Sequence, residues 1–479
     1  MTLNNIISFI NDALYSYILI ILLVVCGIFF TIRTKFAQFR TLPEQLKGLN
    51  DKPKDGKGVS SFHALIVSTA SRVGTGNIIG VSTALCLGGF GSIFWMWIIA
   101  IIGGASAFVE STLAQIYKRK GKNGSYGGPA YYIESALKSR TLAVIFSILL
   151  IATYGVGFNM LASYNLQSTF ATYSFYNKKI TPWIIGAIIA LLVGYCLFGG
   201  GAKIIKVTTY IVPFMGVGYV LVALIVVLLN VTSLPAVFSR IFVEAFDFGA
   251  IFGGFSGSCV MYGIKRGLFS NEAGVGSAPN ASATAEVSHP VKQGLVQILS
   301  VFIDTLVVCS ATAFMCMCSG IEPSAELSGA PYIQLALTKT FGAFGPIFIT
   351  VAMILFAFTT LLGNLYYVNQ SLTHILKKEA SKKFNTVYYI LASLLIFLGS
   401  GLNADLLWNI ADVTMGLMAL INVPVIIYLS KYAFRALKDF TKQKKQGIDP
   451  VFHAKDIGLF LDDGFQSKNN ISDKMNFWN

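Results

Sequence analysis

Charged residues are scarce in this chain, and their scarcity excludes most soluble proteins. They make up 12% of the 479 residues, whereas a soluble domain carries about 25%. Hydrophobic residues reach 54%, and the mean hydropathy is +0.67. This composition predicts a polytopic protein of the lipid bilayer. The net charge of +14 does not indicate a nucleic-acid partner, because the basic residues lie in short loops between apolar runs.

Histidines and paired cysteines are few as well. The four histidines are scattered, and the seven cysteines lie in apolar stretches without Cys-x-x-Cys spacing, so they predict core residues rather than a metal centre. Ser256 and Ser258 have no histidine at a comparable depth, which argues against an intramembrane hydrolase. We therefore expect neither an enzyme nor a bound cofactor. The first residues lack a basic n-region, so we expect no cleaved signal peptide.

Eleven stretches are apolar enough to cross a bilayer, which takes about 20 residues each. They lie near 14–31, 61–88, 92–117, 141–166, 182–198, 204–229, 250–264, 292–319, 344–368, 385–401 and 406–430. The predicted fold class is an all-α polytopic membrane protein, with a transmembrane domain over 1–440 and a cytoplasmic tail over 441–479.

Loop charges predict the orientation. Lysines and arginines cluster after helices 1, 3, 5, 9 and 11, all on one side of the membrane. By the positive-inside rule, the N-terminus is expected outside and the C-terminus in the cytoplasm, in the cell (inner) membrane.

An inverted repeat is predicted once helix 1 is set aside. The ten remaining helices divide into two sets of five with opposite topology, over about 60–230 and about 248–430. The segments 71–77 (SRVGTGN) and 270–277 (SNEAGVGS) echo each other weakly, since both contain Gly-x-Gly followed by a small polar residue.

Predicted helix 2 contains the residues least suited to hydrocarbon, Gly74, Thr75, Gly76 and Asn77. An unwound backbone survives in a membrane only where it is buried in protein or lines a cavity. The glycines alone would also fit close helix packing. The neighbouring polar residues favour a ligand site, with freed N–H groups facing a carboxylate and freed carbonyls facing a cation.

Paired hydroxyls occur in predicted helix 9, at Thr359 and Thr360. Such hydroxyls commonly bond back to carbonyls one turn earlier. The alternative is a Na⁺ site, because hard cations prefer oxygen ligands.

Asp304 lies about a dozen residues into predicted helix 8, where a carboxylate is costly and functional by default. Arg72, Lys265 and Arg266 are candidate partners, and a structural ion pair and a proton relay are both open interpretations. Two further acids raise the same question, Glu110 in helix 3 and Glu272 in the 270–277 segment.

Three motifs resemble the alanine or glycine:cation symporter family, the sodium:alanine symporters. They are GGFGSIFWMW (88–97), GGPAYY (127–132) and the long run GIKRGLFSNEAGVGSAP (263–279). The resemblance covers about residues 10–445. It implies the LeuT-like fold of sodium-coupled amino-acid transporters, a 5+5 inverted repeat after one extra N-terminal helix, with helices 2 and 7 broken.

The resemblance also implies the site residues. Substrate would be held by Gly74, Thr75, Gly76 and Asn77 together with Ala162, Phe269, Ser270, Asn271 and Asn364. Na⁺ would be held by the carbonyls of Ala70, Val73 and Phe356 and the hydroxyls of Thr359 and Thr360. The second break would span Phe269 to Gly274, although by helix length alone Gly253 to Gly257 is an equal alternative.

The expected function is therefore Na⁺-driven uptake of a small neutral amino acid, such as alanine or glycine, by alternating access. Departures from the family pattern at Ala162, Tyr164, Asn364 and Asn369 leave room for a shifted specificity such as glutamine or serine. A proton-coupled transporter using Asp304 or Glu272 is the alternative. The expected partners are the amino acid, Na⁺ and the lipid bilayer, and no protein partner is indicated.

Overall fold

The computed structural model describes residues 3–51, 53, 58–121, 124–247, 249, 251, 258–378 and 380–459, and helices dominate it. In chain order the helices are α1 (Leu3–Ala13), α2 (Leu19–Arg33), α3 (Ala37–Arg40), α4 (Leu42–Gly48), α5 (Ser61–Arg72), α6 (Val81–Gly88), α7 (Gly91–Ile116), α8 (Pro129–Leu137), α9 (Arg140–Leu150), α10 (Phe158–Ser168), α11 (Thr181–Leu197), α12 (Gly200–Leu229), α13 (Leu234–Ala245), α14 (Cys259–Asn271), α15 (Pro279–Ser282), α16 (Pro290–Val301), α17 (Ser310–Met317), α18 (Ala330–Phe341), α19 (Phe344–Leu376), α20 (Lys382–Gly399) and α21 (Ala404–Lys445).

Among the described residues, four π-helical segments lie between consecutive α-helices, at Leu14–Ile18, Gly76–Gly80, Ile151–Gly157 and Phe302–Cys309. Segments of this kind are frequent at functional sites, because the wider turn displaces backbone groups from their usual partners. Two of them, Gly76–Gly80 and Phe302–Cys309, contain polar residues that the sequence marked, Asn77 and Asp304.

Among the described residues, seven helices are long and apolar enough to cross a membrane. They are Ile7–Arg33, Gly91–Ile116, Arg140–Thr172, Gly200–Leu229, Pro290–Met317, Phe344–Leu376 and Ala404–Lys445. Their outward faces carry large apolar side chains, such as Ile21 and Phe214, which are 62% and 76% exposed. The chain is therefore a multi-pass membrane protein, since in water such faces would be buried.

Helix α7 lies in the middle of the bundle, against α14 and α16. Small residues allow this close approach. A Cβ added to Gly263 would lie 2.5 Å from the Ser92 carbonyl oxygen, and one added to Gly267 would lie 2.6 Å from a methyl carbon of Ile99. Helix association inside membranes depends on such backbone proximity.

The structure differs from the sequence prediction in its connections. A two-stranded hairpin, Arg119–Gly121 paired with Gly124–Tyr126, interrupts the predicted all-α fold. Helices α8, α13 and α18 lie in stretches predicted as loops, because they are amphipathic and too short to span a bilayer. The last helix continues to Lys445, past the predicted boundary at residue 440, since lysines and glutamines extend a helix readily outside the membrane.

The candidate substrate and cation site

The first helix break is built by Asn77. Helix α5 ends at Arg72, and the next helical residue is Gly76. The Asn77 side-chain oxygen accepts a hydrogen bond from the Gly74 backbone N–H at 2.7 Å, and the Asn77 N–H donates to the Gly74 carbonyl at 3.1 Å. Because Gly74 N–H bonds to Asn77, the carbonyl of Ala70 loses the donor that a continuous helix would supply.

All residues of this break are buried. Among the described residues, none of the turn, loop and cap hydrogen bonds uses the backbone N–H groups of Thr75 and Gly76, which lie at the start of the second half-helix, where N–H groups have no intrahelical acceptor. Buried backbone donors in a membrane need a partner. The break therefore presents two free donors at the start of a helix, an arrangement that suits a carboxylate.

The second break follows α14. The chain leaves the helix at Glu272, which has a left-handed conformation (φ +54°), and Gly274 and Gly276 also have positive φ. The Asn271 side chain accepts from the Ala273 N–H at 3.0 Å and so caps the turn. This helix end overlaps the break that the family resemblance implied at Phe269 to Gly274, of which Phe269 to Asn271 are still helical. The alternative at Gly253 to Gly257 lies outside the described residues, so the position of the second break stays a prediction.

Asp304 joins the two breaks. One carboxylate oxygen accepts from the Asn77 amide at 2.7 Å, and the other accepts from the Ser270 hydroxyl at 2.8 Å. The neighbouring Thr305 hydroxyl donates to that second oxygen, also at 2.8 Å. The Asp304 side chain is fully buried, so it is held by neutral donors from three different segments.

The candidate cation ligands divide into two kinds. The Thr359 hydroxyl donates to the carbonyls of Leu355 and Phe356. This is the first of the two interpretations of the paired hydroxyls, in which they bond to carbonyls one turn earlier in the helix. The Thr360 hydroxyl is buried and has no hydrogen-bond partner. It lies directly against Gly74, where an added Cβ would collide with the Thr360 oxygen. Helix α19 thus brings an unpaired oxygen to the first break.

Aromatic rings cover the break on one side. Phe269 lies over Gly76, with 2.7 Å between a ring carbon and the position of an added Cβ. Its ring also packs against Phe158 and Trp408, with centroid separations of 4.5 and 4.9 Å. Asn165 of α10 donates to the Thr75 hydroxyl at 3.2 Å. These contacts cover the backbone of Thr75 and Gly76.

The predicted pocket residue Asn364 is engaged by the protein itself. Its amide donates to Asn159 at 2.9 Å, and its oxygen accepts from the Ser71 hydroxyl at 2.7 Å. Ala162 is buried one turn beyond Asn159 on α10. The structure therefore brings Asn364 to the end of the first half-helix, through Ser71.

The predicted ion pairs with Asp304 are wrong. Arg72 instead donates to the Gln297 side chain at 3.0 Å. Lys265 and Arg266 both pair with Asp412 of α21, at 3.0 and 3.4 Å. The reason is helical direction, because Lys265 and Arg266 precede the second break by more than a turn and face α21 rather than the centre.

The other two acids also accept from neutral groups. Glu272 accepts from the hydroxyls of Ser71 at 3.2 Å and Ser277 at 2.6 Å. Glu110 accepts from the Gly274 N–H and the Asn422 amide, at 3.4 and 3.1 Å.

Sequence reasoning missed several residues of this region. Asp412 is an acid inside the predicted span 406–430. The expectation that an acid inside a membrane span is functional, which singled out Asp304, therefore applies to Asp412 as well. Thr305 adjoins Asp304 in sequence, but the sequence does not show the π-helical segment in which the Thr305 hydroxyl donates to the Asp304 carboxylate. The tertiary partners Asn159, Asn165 and Gln297 carry no local signal, because a single amide in a helix is common.

A helix that is interrupted at Gly74–Asn77, and whose Asn77 amide meets Asp304 inside an apolar bundle, defines the class of a polytopic membrane transporter. Sequence comparison specifies the family, because the model of the sodium:alanine symporter family matches residues 1–454. The chain belongs to this family, which confirms the resemblance. It is thus a member of a family of sodium-coupled amino-acid symporters rather than of an enzyme family.

Three relatives illustrate the range of the family. The chain is 43% identical over 454 residues to the amino-acid carrier protein AlsT of Bacillus subtilis (strain 168), covering 95% of this chain and 96% of that protein. It is 44% identical over 457 residues to a protein of the same strain named "Probable sodium/glutamine symporter GlnT", covering 95% and 94%. It is 36% identical over 441 residues to the sodium/proton-dependent alanine carrier protein of Bacillus sp. (strain PS3), covering 85% and 95%.

Proposed function

We propose that this protein couples Na⁺ entry to the uptake of a small neutral amino acid by alternating access. The observation that carries the proposal is the buried break at Gly74–Asn77, which offers free N–H groups on one side and freed carbonyls on the other. An amino acid supplies a carboxylate, and Na⁺ supplies a hard cation, so the two faces match the two cargoes.

The proposed Na⁺ ligands are the carbonyls of Ala70, Val73 and Phe356 and the hydroxyls of Thr359 and Thr360. Two observations support them: among the described residues the buried Thr360 oxygen has no hydrogen-bond partner, and it lies directly against Gly74 at the first break. Thr359 donates its proton to carbonyls, so its oxygen lone pairs remain available. Na⁺ at this position would hold the first half-helix against α19.

The proposed substrate carboxylate binds the N–H groups of Thr75 and Gly76. The side chain would then point toward Ala162, Phe269, Ser270, Asn271 and Asn364. Because Asn364 is engaged by Asn159 and Ser71, the pocket suits a small side chain unless Asn364 turns. We therefore propose alanine or glycine, with serine and glutamine as the alternatives to compare.

The proposed fold is the LeuT-like 5+5 inverted repeat preceded by one helix, eleven membrane helices in all. Its domain division is a transporter domain over 1–440, with repeats over about 60–230 and about 248–430, and a tail over 441–479. We place the N-terminus outside and the C-terminus in the cytoplasm of the inner membrane. A C-terminal green fluorescent protein fusion should fluoresce, and a C-terminal alkaline phosphatase fusion should be inactive.

Uptake into proteoliposomes tests the function. Labelled alanine, glycine, serine and glutamine are offered under an imposed Na⁺ gradient, and separately under a proton gradient. Alanine or glycine should accumulate with Na⁺ alone. If a Na⁺ gradient drives accumulation of none of these amino acids, the proposal fails.

Substitution of the two threonines tests the Na⁺ site. The Thr359→Val/Thr360→Val variant should require at least roughly tenfold more Na⁺ for half-maximal uptake, the equivalent of about 1.4 kcal/mol of binding free energy. Thr209→Val is the matched control, since the Thr209 hydroxyl bonds back to Ile205 in the same way on another helix. Equal Na⁺ requirements in the two variants would rule out the proposed ligands.

A proton-coupled function is the second candidate. It is favoured by the buried Asp304 carboxylate and by the name of the related carrier from strain PS3, which includes protons. Accumulation driven by a proton gradient in the absence of Na⁺ would support this candidate over the first.

A further inference from the structure

The segment that follows the first membrane helix has its polar side chains inward. In α3 and α4, Gln38, Thr41 and Gln45 are at most 7% exposed. The Gln38 amide donates to the Thr31 hydroxyl at 2.8 Å and to the Ile101 carbonyl of α7 at 3.2 Å. A helix at the surface of a soluble protein has the reverse arrangement, with its apolar face toward the core. The outward face of this segment is therefore not built for water.

That outward face carries large apolar side chains. Phe36, Phe39, Leu42 and Leu46 are between 44% and 55% exposed. They come directly after the membrane span Ile7–Arg33, so they lie where the hydrocarbon region ends. Segments with exposed phenylalanine and leucine at this depth lie in the plane of the interface, between the headgroups and the acyl chains. The neighbour of this face is therefore lipid.

Basic side chains accompany the apolar ones. Arg33, Lys35, Arg40 and Lys47 are exposed. The ion pairs of the described residues include none of them. Glu44 is the single acid in the same stretch, so four bases and one acid give residues 33–47 a net charge of +3. This charge matches an anionic lipid better than a zwitterionic one.

The turn between α2 and α3 brings three of the bases together. Lys35 and Phe36 both have the left-handed conformation, with φ +55°, which is strained for residues other than glycine. The Arg40 guanidinium donates to the carbonyls of Thr34 and Lys35, at 3.2 and 3.3 Å. Arg33 is the last residue of α2. The three bases therefore surround the end of this helix.

Helix α21 adds a fourth base beside them. The Arg33 guanidinium lies 5.5 Å from the centre of the Phe434 ring. Lys431, three residues before Phe434, is exposed and lies 5.5 and 5.1 Å from the ring centres of Tyr428 and Tyr432. Basic pockets between membrane helices bind anionic lipid headgroups, and tyrosines are enriched at this depth.

We propose that the end of α2 with α3 and α4 binds an anionic phospholipid of the cytoplasmic leaflet. The headgroup phosphate lies among Arg33, Lys35 and Arg40, and the acyl chains lie against Phe36 and Leu42. In the proposed orientation this end of α2 faces the cytoplasm, where the leaflet is negatively charged. The exposed apolar face selects a lipid over a free phosphate ion. The proposal does not depend on which solute the protein transports.

The lipid surface is connected to the helix that leads to Asp304. A Cβ added to Gly48 of α4 would lie 2.8 Å from a methyl carbon of Val296 on α16. The Phe39 ring packs against Phe302, the first residue of the next π-helical segment, with centroids 6.2 Å apart. A lipid that binds the folded protein here holds α3 and α4 against α16 and stabilises the fold by mass action.

Binding of phosphatidylglycerol to the purified full chain tests the surface. Protein in detergent micelles is mixed with phosphatidylglycerol or with phosphatidylcholine of the same acyl chains, and native mass spectrometry counts the bound lipid. The wild type should prefer phosphatidylglycerol. Arg33→Gln/Lys35→Gln/Arg40→Gln should bind it at least roughly tenfold more weakly, because each base near an anionic surface contributes a factor of about five. Equal binding of the two lipids by the wild type would overturn the proposal.

Lys378→Gln/Lys382→Gln/Lys383→Gln is the matched control. It also removes three exposed bases from an end that faces the cytoplasm in the proposed orientation, next to α20. It should keep the wild-type affinity for phosphatidylglycerol. A loss as large as that of the first triple variant would overturn the site, because any cytoplasmic base would then serve.

Lys35→Glu covers the case in which the first triple variant does not fold, since the exposed Lys35 side chain can be reversed in charge while Arg40 still bonds to the backbone. It should bind phosphatidylglycerol at least roughly fivefold more weakly. Unchanged affinity in both variants would overturn the proposal.

Leu42→Ser/Leu46→Ser retains every base and tests the apolar part of the surface. It should weaken the binding of both lipids. Displacement of the lipid by inorganic phosphate would overturn the proposal in favour of an anion site. Unchanged lipid binding by this variant, together with loss of a dimer in light scattering, would assign the apolar face to a second copy of the chain instead.

Discussion

Single residues decide how the first break works. Gly74 is required not for its backbone freedom but for the space that it leaves, since the Thr360 hydroxyl occupies the place of a Cβ. Asn77 is required for its amide, which accepts from Gly74 on one side and donates to Asp304 on the other. A glycine and an asparagine three residues apart thus open the helix and define its partners.

The first prediction concerns Gly74→Ala. The new methyl group would displace the Thr360 hydroxyl, and overpacking of this kind typically costs about 1–3 kcal/mol. We expect the Na⁺ concentration for half-maximal alanine uptake to rise at least roughly tenfold, measured in proteoliposomes. Gly216→Ala is the control, because nothing lies within 4 Å of the added Cβ.

The double variant Gly74→Ala/Thr360→Ala separates the two effects of that change. It removes the collision and also the oxygen, so thermal stability should return while the Na⁺ requirement stays high. Recovery of wild-type Na⁺ affinity would show that the Thr360 oxygen is not a ligand.

At the scale of helices, α14 and α21 are joined by a buried charge cluster. Asp412 pairs with both Lys265 and Arg266, and the Arg266 guanidinium also lies 4.0 Å from the centre of the Trp408 ring. The N-terminal helical region contributes to this cluster, because the Tyr15 hydroxyl donates to the Asp412 carbonyl at 3.1 Å. These contacts anchor the half-helix that ends in the second break.

The second prediction is that Asp412→Asn strongly destabilises the protein. Removing one partner of a buried ion pair typically costs about 3–5 kcal/mol, because a buried charge remains unbalanced. Denaturant unfolding in detergent micelles measures the loss. Glu322→Gln serves as the comparison, since Glu322 pairs with Arg240 at the surface, with its side chain 74% exposed, and should change stability little. Equal effects of the two substitutions would contradict the structural role of the cluster.

The third prediction concerns pH and helix α8, which lies outside the membrane-spanning helices. Burial raises the pKa of Glu134, but hydrogen bonds from His374 and Arg140, both at 2.7 Å, outweigh it and lower this pKa from 4.5 to about 2. The folded protein therefore binds fewer protons at Glu134 than the unfolded chain does. This stabilisation is present above about pH 4.5 and is lost as the pH falls toward about 2.

Thermal unfolding at pH 5.5 and pH 3.5 checks this sign. The difference in midpoint between the wild type and Glu134→Gln should shrink at the lower pH, because at pH 3.5 the unfolded wild-type chain binds a proton at Glu134 that the folded protein does not bind. Glu326→Gln, at an exposed acid, should follow the wild type at both pH values. A difference that grows at pH 3.5 would show that the linkage has the opposite sign.

At the scale of the whole molecule, the C-terminal segment 448–459 packs against the start of α16. Lys292 pairs with Asp449 at 2.8 Å and with Asp51 at 3.6 Å, and the Ser288 hydroxyl donates to the Pro450 carbonyl at 2.8 Å. The Phe452 side chain is 1% exposed. The segment therefore forms part of the folded body.

The fourth prediction is that a chain ending at Gly447 unfolds at a lower temperature. It loses the burial of Phe452, worth about 1.5–3 kcal/mol for a large apolar side chain, and the Lys292 pair. A chain ending at Leu459 retains every contact described for this segment and should match the wild type. Purified proteins in detergent are compared by thermal unfolding. Equal midpoints for the two truncated chains would contradict the prediction.

The sequence by itself determined the membrane class, most helix bounds, the first break and the family. These properties depend on composition, on apolar length and on Gly and Asn at adjacent positions, all of which are local. For the second break, a long family motif implied Phe269 to Gly274, and helix length alone allowed Gly253 to Gly257. The latter residues lie outside the described part of the chain, so the position of this break stays a prediction.

Only the tertiary structure decided which polar groups meet. Asp304 bonds to Asn77 and Ser270 rather than to a basic residue, Lys265 and Arg266 pair with Asp412, and Thr360 but not Thr359 keeps an unpaired oxygen. Such pairings depend on the rotation of each helix about its axis and on the π-helical turns, which shift side chains by a fraction of a turn. The physical reason is that buried polar groups take whichever partner the packing of apolar faces brings within about 3 Å.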